Sequence, residues 1–151
     1  MTAPKPGVPG AAEPEFKVAR VFDFADPVTG PGFEPGHAVI EDPAERDRLA
    51  AYLRGGCPAL TTTIRMTDVI DPAAGASVPA SFRTDGEWIW AETVEYYLTR
   101  HDLAPDARLI DHIRARIASG QAVPDTSTEH ATRAAEFLLR PPGAGARQPA
   151  S

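Results

Sequence analysis

A single cysteine, Cys57, in a chain of 151 residues excludes an internal disulfide framework and any cysteine-based zinc cage. Its setting, GGCPAL, has no adjacent basic residue and no helix start to stabilise a thiolate, so an inert thiol is expected. No run of about 18 apolar residues is present, so no membrane-spanning helix is expected. The N-terminus has no apolar core of a secretory signal, which makes the cytoplasm the expected location. Lysine is nearly missing, with Lys5 and Lys17 the only two among fifteen basic residues, while alanine, proline and glycine abound. That bias resembles a high-GC bacterial coding sequence.

Reactive constellations are equally scarce. The four histidines, His37, His101, His112 and His130, show no HExxH or HxxxH spacing, so no metal site is expected. The serines have no GxSxG setting and the glycines form no phosphate loop. Glu92 and Glu95 share a helical face but lie off its apolar stripe, so solvation rather than general acid–base chemistry is expected of them. No cofactor is implied.

What is present is charge of one sign in one place. The net charge is −6. Seven acids fall between Asp85 and Asp111, opposed only by Arg100 and Arg108. A concentrated negative stretch disfavours a nucleic-acid backbone and suits a basic protein partner.

The chain divides by composition. Residues 1–15 hold four prolines and two glycines and read as a disordered arm, as do residues 141–151. Residues 16–122 read as one domain and 123–140 as a C-terminal helix. FKVARVFDF suits a strand over 16–24 with one slip in its alternation, and HAVIE a short strand. EDPAERDRLAAYLRGG carries a full set of helix signals: Asp42 as cap, Pro43 at the first position, Glu45 three residues after the cap, and Gly55-Gly56 as stop. PALTTTIRMTDVIDP reads as a strand. ASFRTDGEWIW reads as a hairpin turning at Asp85-Gly86, with Trp88 and Trp90 on one face of the return strand. From Ala91 the period changes to helical, with Val94, Tyr97, Leu98 and His101 on one stripe. Asp106 caps a further helix with Leu109, Ile110, Ile113 and Ile117 inward, and an alanine-faced helix runs from about Ser127 to Leu139. The expected class is α+β: a mixed or antiparallel sheet of about four to five strands, with helices packed on one face. Trp88, Trp90, Tyr97, Phe82, Leu109, Ile110 and Ile113 are its expected main stabilisers.

The residues V-P-A-S-F-R-T-D-G-E-W-I-W, then Y-Y-L, H-D-L-A-P-D and L-I-D-H-I, resemble a set of small actinobacterial proteins. Their mark is an R-T-D-G-x-W-x-W segment followed by Y-Y-L, H and a final helix containing H-I. The resemblance covers about residues 57 to 117, including RMTDVIDP. No activity, cofactor or catalytic residue is established for that set. Some of its members look like companions of secreted or polymorphic toxins, so the resemblance implies an immunity or chaperone role.

Two functional readings follow from the residues themselves. In the first, the protein is a non-enzymatic interaction module that binds a protein partner through an acidic and aromatic face of Asp85, Glu87, Trp88, Glu92, Glu95 and Tyr96. In the second, a pocket between sheet and helices binds a small ligand or performs catalysis with Arg83, Asp85, His101 and His112. The oligomeric state is open, with residues 58–66 a candidate edge strand for self-pairing.

Overall fold

A computed structural model describes residues 16–121, 124 and 127–140; the two arms expected to be disordered lie outside the described residues. Eight strands, β1 (Lys17–Val18), β2 (Phe24–Asp26), β3 (Gly30–Gly32), β4 (Cys57–Leu60), β5 (Arg65–Thr67), β6 (Ala76–Pro79), β7 (Phe82–Thr84) and β8 (Trp88–Ala91), combine with four helices. These are α1 (Pro43–Arg54), α2 (Glu92–His101), α3 (Ala107–Ala118) and α4 (Thr128–Leu139). The class is α+β, as the sequence suggests.

The central sheet has four strands in the order β1-β8-β7-β4. It is mixed: β8 pairs antiparallel with β7 and parallel with β1. Two separate ribbons, β2–β3 and β5–β6, stand beside it, each antiparallel. Two sequence-derived strands are therefore shorter than expected. The 16–24 segment supplies β1 and, after a break, Phe24 at the start of β2, and 58–72 is interrupted between β4 and β5. HAVIE contributes one isolated bridge, Val39 to Leu103, rather than a strand.

The helix boundaries follow their caps. Asp42 accepts the Ala44 N–H, with Pro43 in the first turn, and Gly55 closes α1. Asp106 accepts the Arg108 N–H ahead of α3, and Ser127 accepts the His130 N–H ahead of α4. Asp102 ends α2 in the left-handed conformation at φ 65°, a position asparagine, aspartate and glycine tolerate best.

The indoles set the layers. Trp88 and Trp90 lie on one face of β8 and pack with Leu49, Leu53, Val94, Leu98, Leu109 and Ile113 from α1, α2 and α3. The Trp90 indole N–H donates to the Leu53 carbonyl at 3.1 Å, which satisfies the one polar group its burial would otherwise strand. Its ring also fixes Gly56: a Cβ there would meet a Trp90 ring carbon at 2.6 Å. Ile89 points the other way and joins Phe16 and Ala134, with Phe82, Phe137 and Leu138 packed alongside. Hence α4 covers the opposite face of the sheet, and the helices are not confined to one side. The alanines of α4 allow this close approach, because Ala134 is fully buried against large residues supplied by the strands.

Candidate functional site

The hairpin turn is shifted by one residue from its expected place. Thr84 pairs with Ile89 and the Asp85 N–H donates to the Trp88 carbonyl, so the two central residues are Gly86 and Glu87. Gly86, at φ 96°, supplies the positive φ that a two-residue turn requires at its first central position. The shift turns the Asp85 side chain inward. One carboxylate oxygen accepts the N–H groups of Glu87 and Trp88 at 2.9 and 2.8 Å. The other accepts the Tyr52 hydroxyl and His112 Nε2, both at 2.6 Å. Burial alone would raise the Asp85 carboxyl, but these four donors outweigh it and hold it below the usual carboxylate value. Burial together with the adjacent carboxylate raises the Tyr52 hydroxyl, which keeps it a donor.

Asp68 carries a matching shell. One oxygen accepts the N–H groups of Ile70 and Asp71 at 2.8 and 2.9 Å. The other accepts the Tyr96 hydroxyl and His101 Nε2, both at 2.7 Å. Burial pushes this carboxyl up, and the donors pull it down further, to about 2. A third aspartate, Asp23, accepts His37 Nδ1 and the Glu34 N–H, both at 2.8 Å, while His37 Nε2 lies 2.8 Å from the Ala104 carbonyl. Three of the four histidines are thus fastened to separate aspartates.

This arrangement redistributes the expected face. Asp85 and Trp88 are buried, at 2 % and 3 % exposure. Tyr96 directs its hydroxyl onto the buried Asp68 and towards Ser77 Oγ at 3.1 Å. Glu92 is bonded to Arg83 at 2.9 Å and Glu95 to Arg54 at 2.7 Å. Glu87 is half-exposed, 3.6 Å from Lys17. The six residues therefore do not form one open acidic face; most of their polar atoms already have internal partners. The alternative quartet is also divided. Asp85 and His112 meet, His101 sits at the Asp68 shell, and Arg83 is engaged by Glu92 and the Gly56 carbonyl at 2.6 Å. Among the described residues, no group of three or more metal-ligating side chains is gathered to hold an ion, and no helix is long and apolar enough to cross a membrane.

The open features lie elsewhere, in two hollows. A cleft of about 710 Å³ separates Phe24 and Pro31 of the β2–β3 ribbon, and Phe33 just beyond it, from the 66–72 segment. Such a volume is in the range that holds small molecules or side chains. Phe24 and Ile70, 41 % and 47 % exposed, face it from opposite walls. Both walls are anchored to α2 through Tyr97. Its ring lies edge-on to Phe33 at 5.0 Å between centroids, and its hydroxyl accepts the Val69 N–H at 3.0 Å. Asp68 pins the same loop through Tyr96 and His101. A second cavity, of about 470 Å³, lies between residues 20–23, the 34–40 segment and the start of α3.

The sequence reading missed Asp68 and Tyr52 and saw no open surface at Phe24 or Ile70. One signal for the two shells is available in the sequence, since Thr-Asp occurs at 67–68 and again at 84–85. In each case the N–H groups two and three residues after the aspartate cap it. Set against models of known protein families, curated proteins and solved structures, the chain matches none.

Proposed function

We propose that this chain is a non-enzymatic protein-interaction module that accepts an extended, apolar segment of a partner polypeptide in the cleft between the β2–β3 ribbon and the 66–72 segment. An immunity-like or adaptor role is the concrete form of this reading. The observation that carries it is the attachment of both cleft walls to one helix through Tyr97. A cleft held open in the free protein costs little to organise on binding. Two further features support a polypeptide occupant. Among the described residues each ribbon has only two strands, so each keeps a free edge for a third. The exposed side chains at the walls, Phe24 and Ile70, offer apolar contact of the kind that anchors a partner residue. The saturated carboxylates of Asp68 and Asp85 support binding over catalysis, because all four of their strong acceptor positions are taken by the fold itself.

The test is selection of displayed peptides against the full chain. Binders rich in alternating apolar residues are expected, and Ile70→Asp or Phe24→Asp should weaken them at least about tenfold, with Arg100→Gln, away from the cleft, serving as control. Binders indifferent to both cleft substitutions would overturn the proposal.

A further inference from the structure

The 470 Å³ cavity between residues 20–23, the 34–40 segment and the start of α3 has a floor of Val21, Ile40, Ala104, Pro105 and Ile110. Its polar rim is almost entirely committed to the fold. Asp23 accepts from His37 and the Glu34 backbone. Both ring nitrogens of His37 are engaged, by Asp23 and the Ala104 carbonyl. Asp106 accepts from the Arg20 backbone N–H at 2.9 Å and from Arg108 at 2.8 Å. Two charged groups on the rim remain. The Arg20 guanidinium acts on Asp23 only through space, and neither it nor the Glu34 carboxylate makes a hydrogen bond or salt bridge among the described residues. A cation and an anion are therefore both left open to solvent at the mouth of one apolar-floored hollow.

We infer that this cavity binds a small apolar zwitterion, an amino acid or a dipeptide: its carboxylate meets Arg20, its ammonium meets Glu34, and its side chain rests on Ile40 and Ile110. Charge decides the class. An anion alone would meet Arg20 but also the Glu34 carboxylate, beside the Asp23 and Asp106 carboxylates that His37 and Arg108 hold, so phosphorylated ligands are disfavoured. A cation alone would leave the Arg20 guanidinium facing it. A ligand with both charges satisfies both open groups, and an apolar body fills a floor that offers no free hydrogen-bonding side chain. Planar, forked donation by Arg20 suits a carboxylate in particular. The volume lies near the lower end for small-molecule pockets, which fits a ligand of this size.

The experiment uses the full chain, isoleucine-methyl labelled, titrated with L-leucine and with the dipeptide Leu-Ala and followed by NMR. At least one probe should shift the Ile40 and Ile110 methyl signals saturably. N-acetyl-L-leucine, which lacks the cation, and L-leucinamide, which lacks the anion, should each bind about tenfold more weakly than leucine if leucine is the better probe; the acetylated and amidated dipeptides serve the same purpose if Leu-Ala is. Glu34→Gln should abolish the penalty for acetylation alone, and Arg20→Gln the penalty for amidation alone. Both side chains are at the surface, so both variants should keep the wild-type spectrum elsewhere. The inference is overturned if neither probe gives a saturable shift at concentrations of about 10 mM, where even a millimolar site would be filled. It is equally overturned if the blocked and free ligands bind alike. These readouts do not involve Phe24 or Ile70, so the result stands apart from that of the peptide cleft.

Discussion

Asp68 and Asp85 hold identical sets of partners: one tyrosine hydroxyl, one histidine Nε2, and the N–H groups two and three residues further along the chain. The first set pins the wall of the cleft to α2. The second pins the β7–β8 turn to α1 and α3. In each case a buried charge is tolerated because every strong acceptor position is filled. The histidines and tyrosines that the sequence offers as candidate reactive or contact groups are spent on this work.

Removing a single donor from the Asp85 shell should be expensive. Tyr52→Phe deletes a hydroxyl bonded to a buried carboxylate and should cost about 1.5–3 kcal/mol. Asp85→Asn should cost more than Tyr52→Phe, because its amide places a donor against both the Tyr52 hydroxyl and His112. Urea denaturation at neutral pH measures both, and a double variant with Tyr52→Phe should fall short of the sum, since the two share one bond.

Acid should act through the same shells. The Asp68 carboxyl is lowered to about 2 in the folded chain, against about 3.9 in an unfolded one. A depressed folded value means that its contribution is fully present above about pH 4 and is lost as the pH falls towards 2. Asp85 is also lowered, so its contribution has the same sign. The urea midpoint of the wild type should therefore drop between pH 4 and 2, and Asp68→Asn should show a shallower drop over that window. Equal slopes would mean that the shell does not set acid stability.

How much of this is legible in the sequence depends on the range of the interaction. The ends of α1 and α3 follow from Asp42 and Asp106, whose effects are local. The face shared by Trp88 and Trp90 follows from the two-residue period of a strand. The partner of Glu95 is Arg54, forty-one positions away, and no spacing rule connects them. The same holds for Tyr52, Asp85 and His112, which come from three elements. The strand at β1 is legible, but its partner is not, because the pairing with β8 is parallel and only two residues long, too short to leave a pattern. The one-residue shift of the turn is local yet hidden: Asp-Gly suits the centre of a turn, but here the aspartate gains more as an inward acceptor, and glycine takes the first central position.

Gly86 tests that turn. Its φ of 96° and the 2.8 Å separation between a built Cβ and the His130 ring give Gly86→Ala two penalties. The backbone conformation alone costs an L-residue about 1–2 kcal/mol, and His130 on α4 must also move. A loss of about 2 kcal/mol or more is expected, with chemical-shift changes at His130. A loss without change at His130 would place α4 farther from the turn than it lies here.

Tyr97→Phe isolates the anchoring of the cleft. The ring that meets Phe33 stays, while the acceptor for the Val69 N–H is removed, at a cost of about 1 kcal/mol. The loss should be local. Exchange of the Val69 amide should speed up about five- to tenfold in native conditions, while amides in β8 change only with global stability. A selected peptide should bind more weakly, because part of its binding energy then goes to ordering the 67–72 loop. Substituting Thr99, two residues further along α2 and outside the cleft, by alanine should alter neither quantity. If Val69 exchange and peptide affinity respond independently of each other across Tyr97→Phe and Tyr96→Phe, then the loop is not the wall that the partner reads.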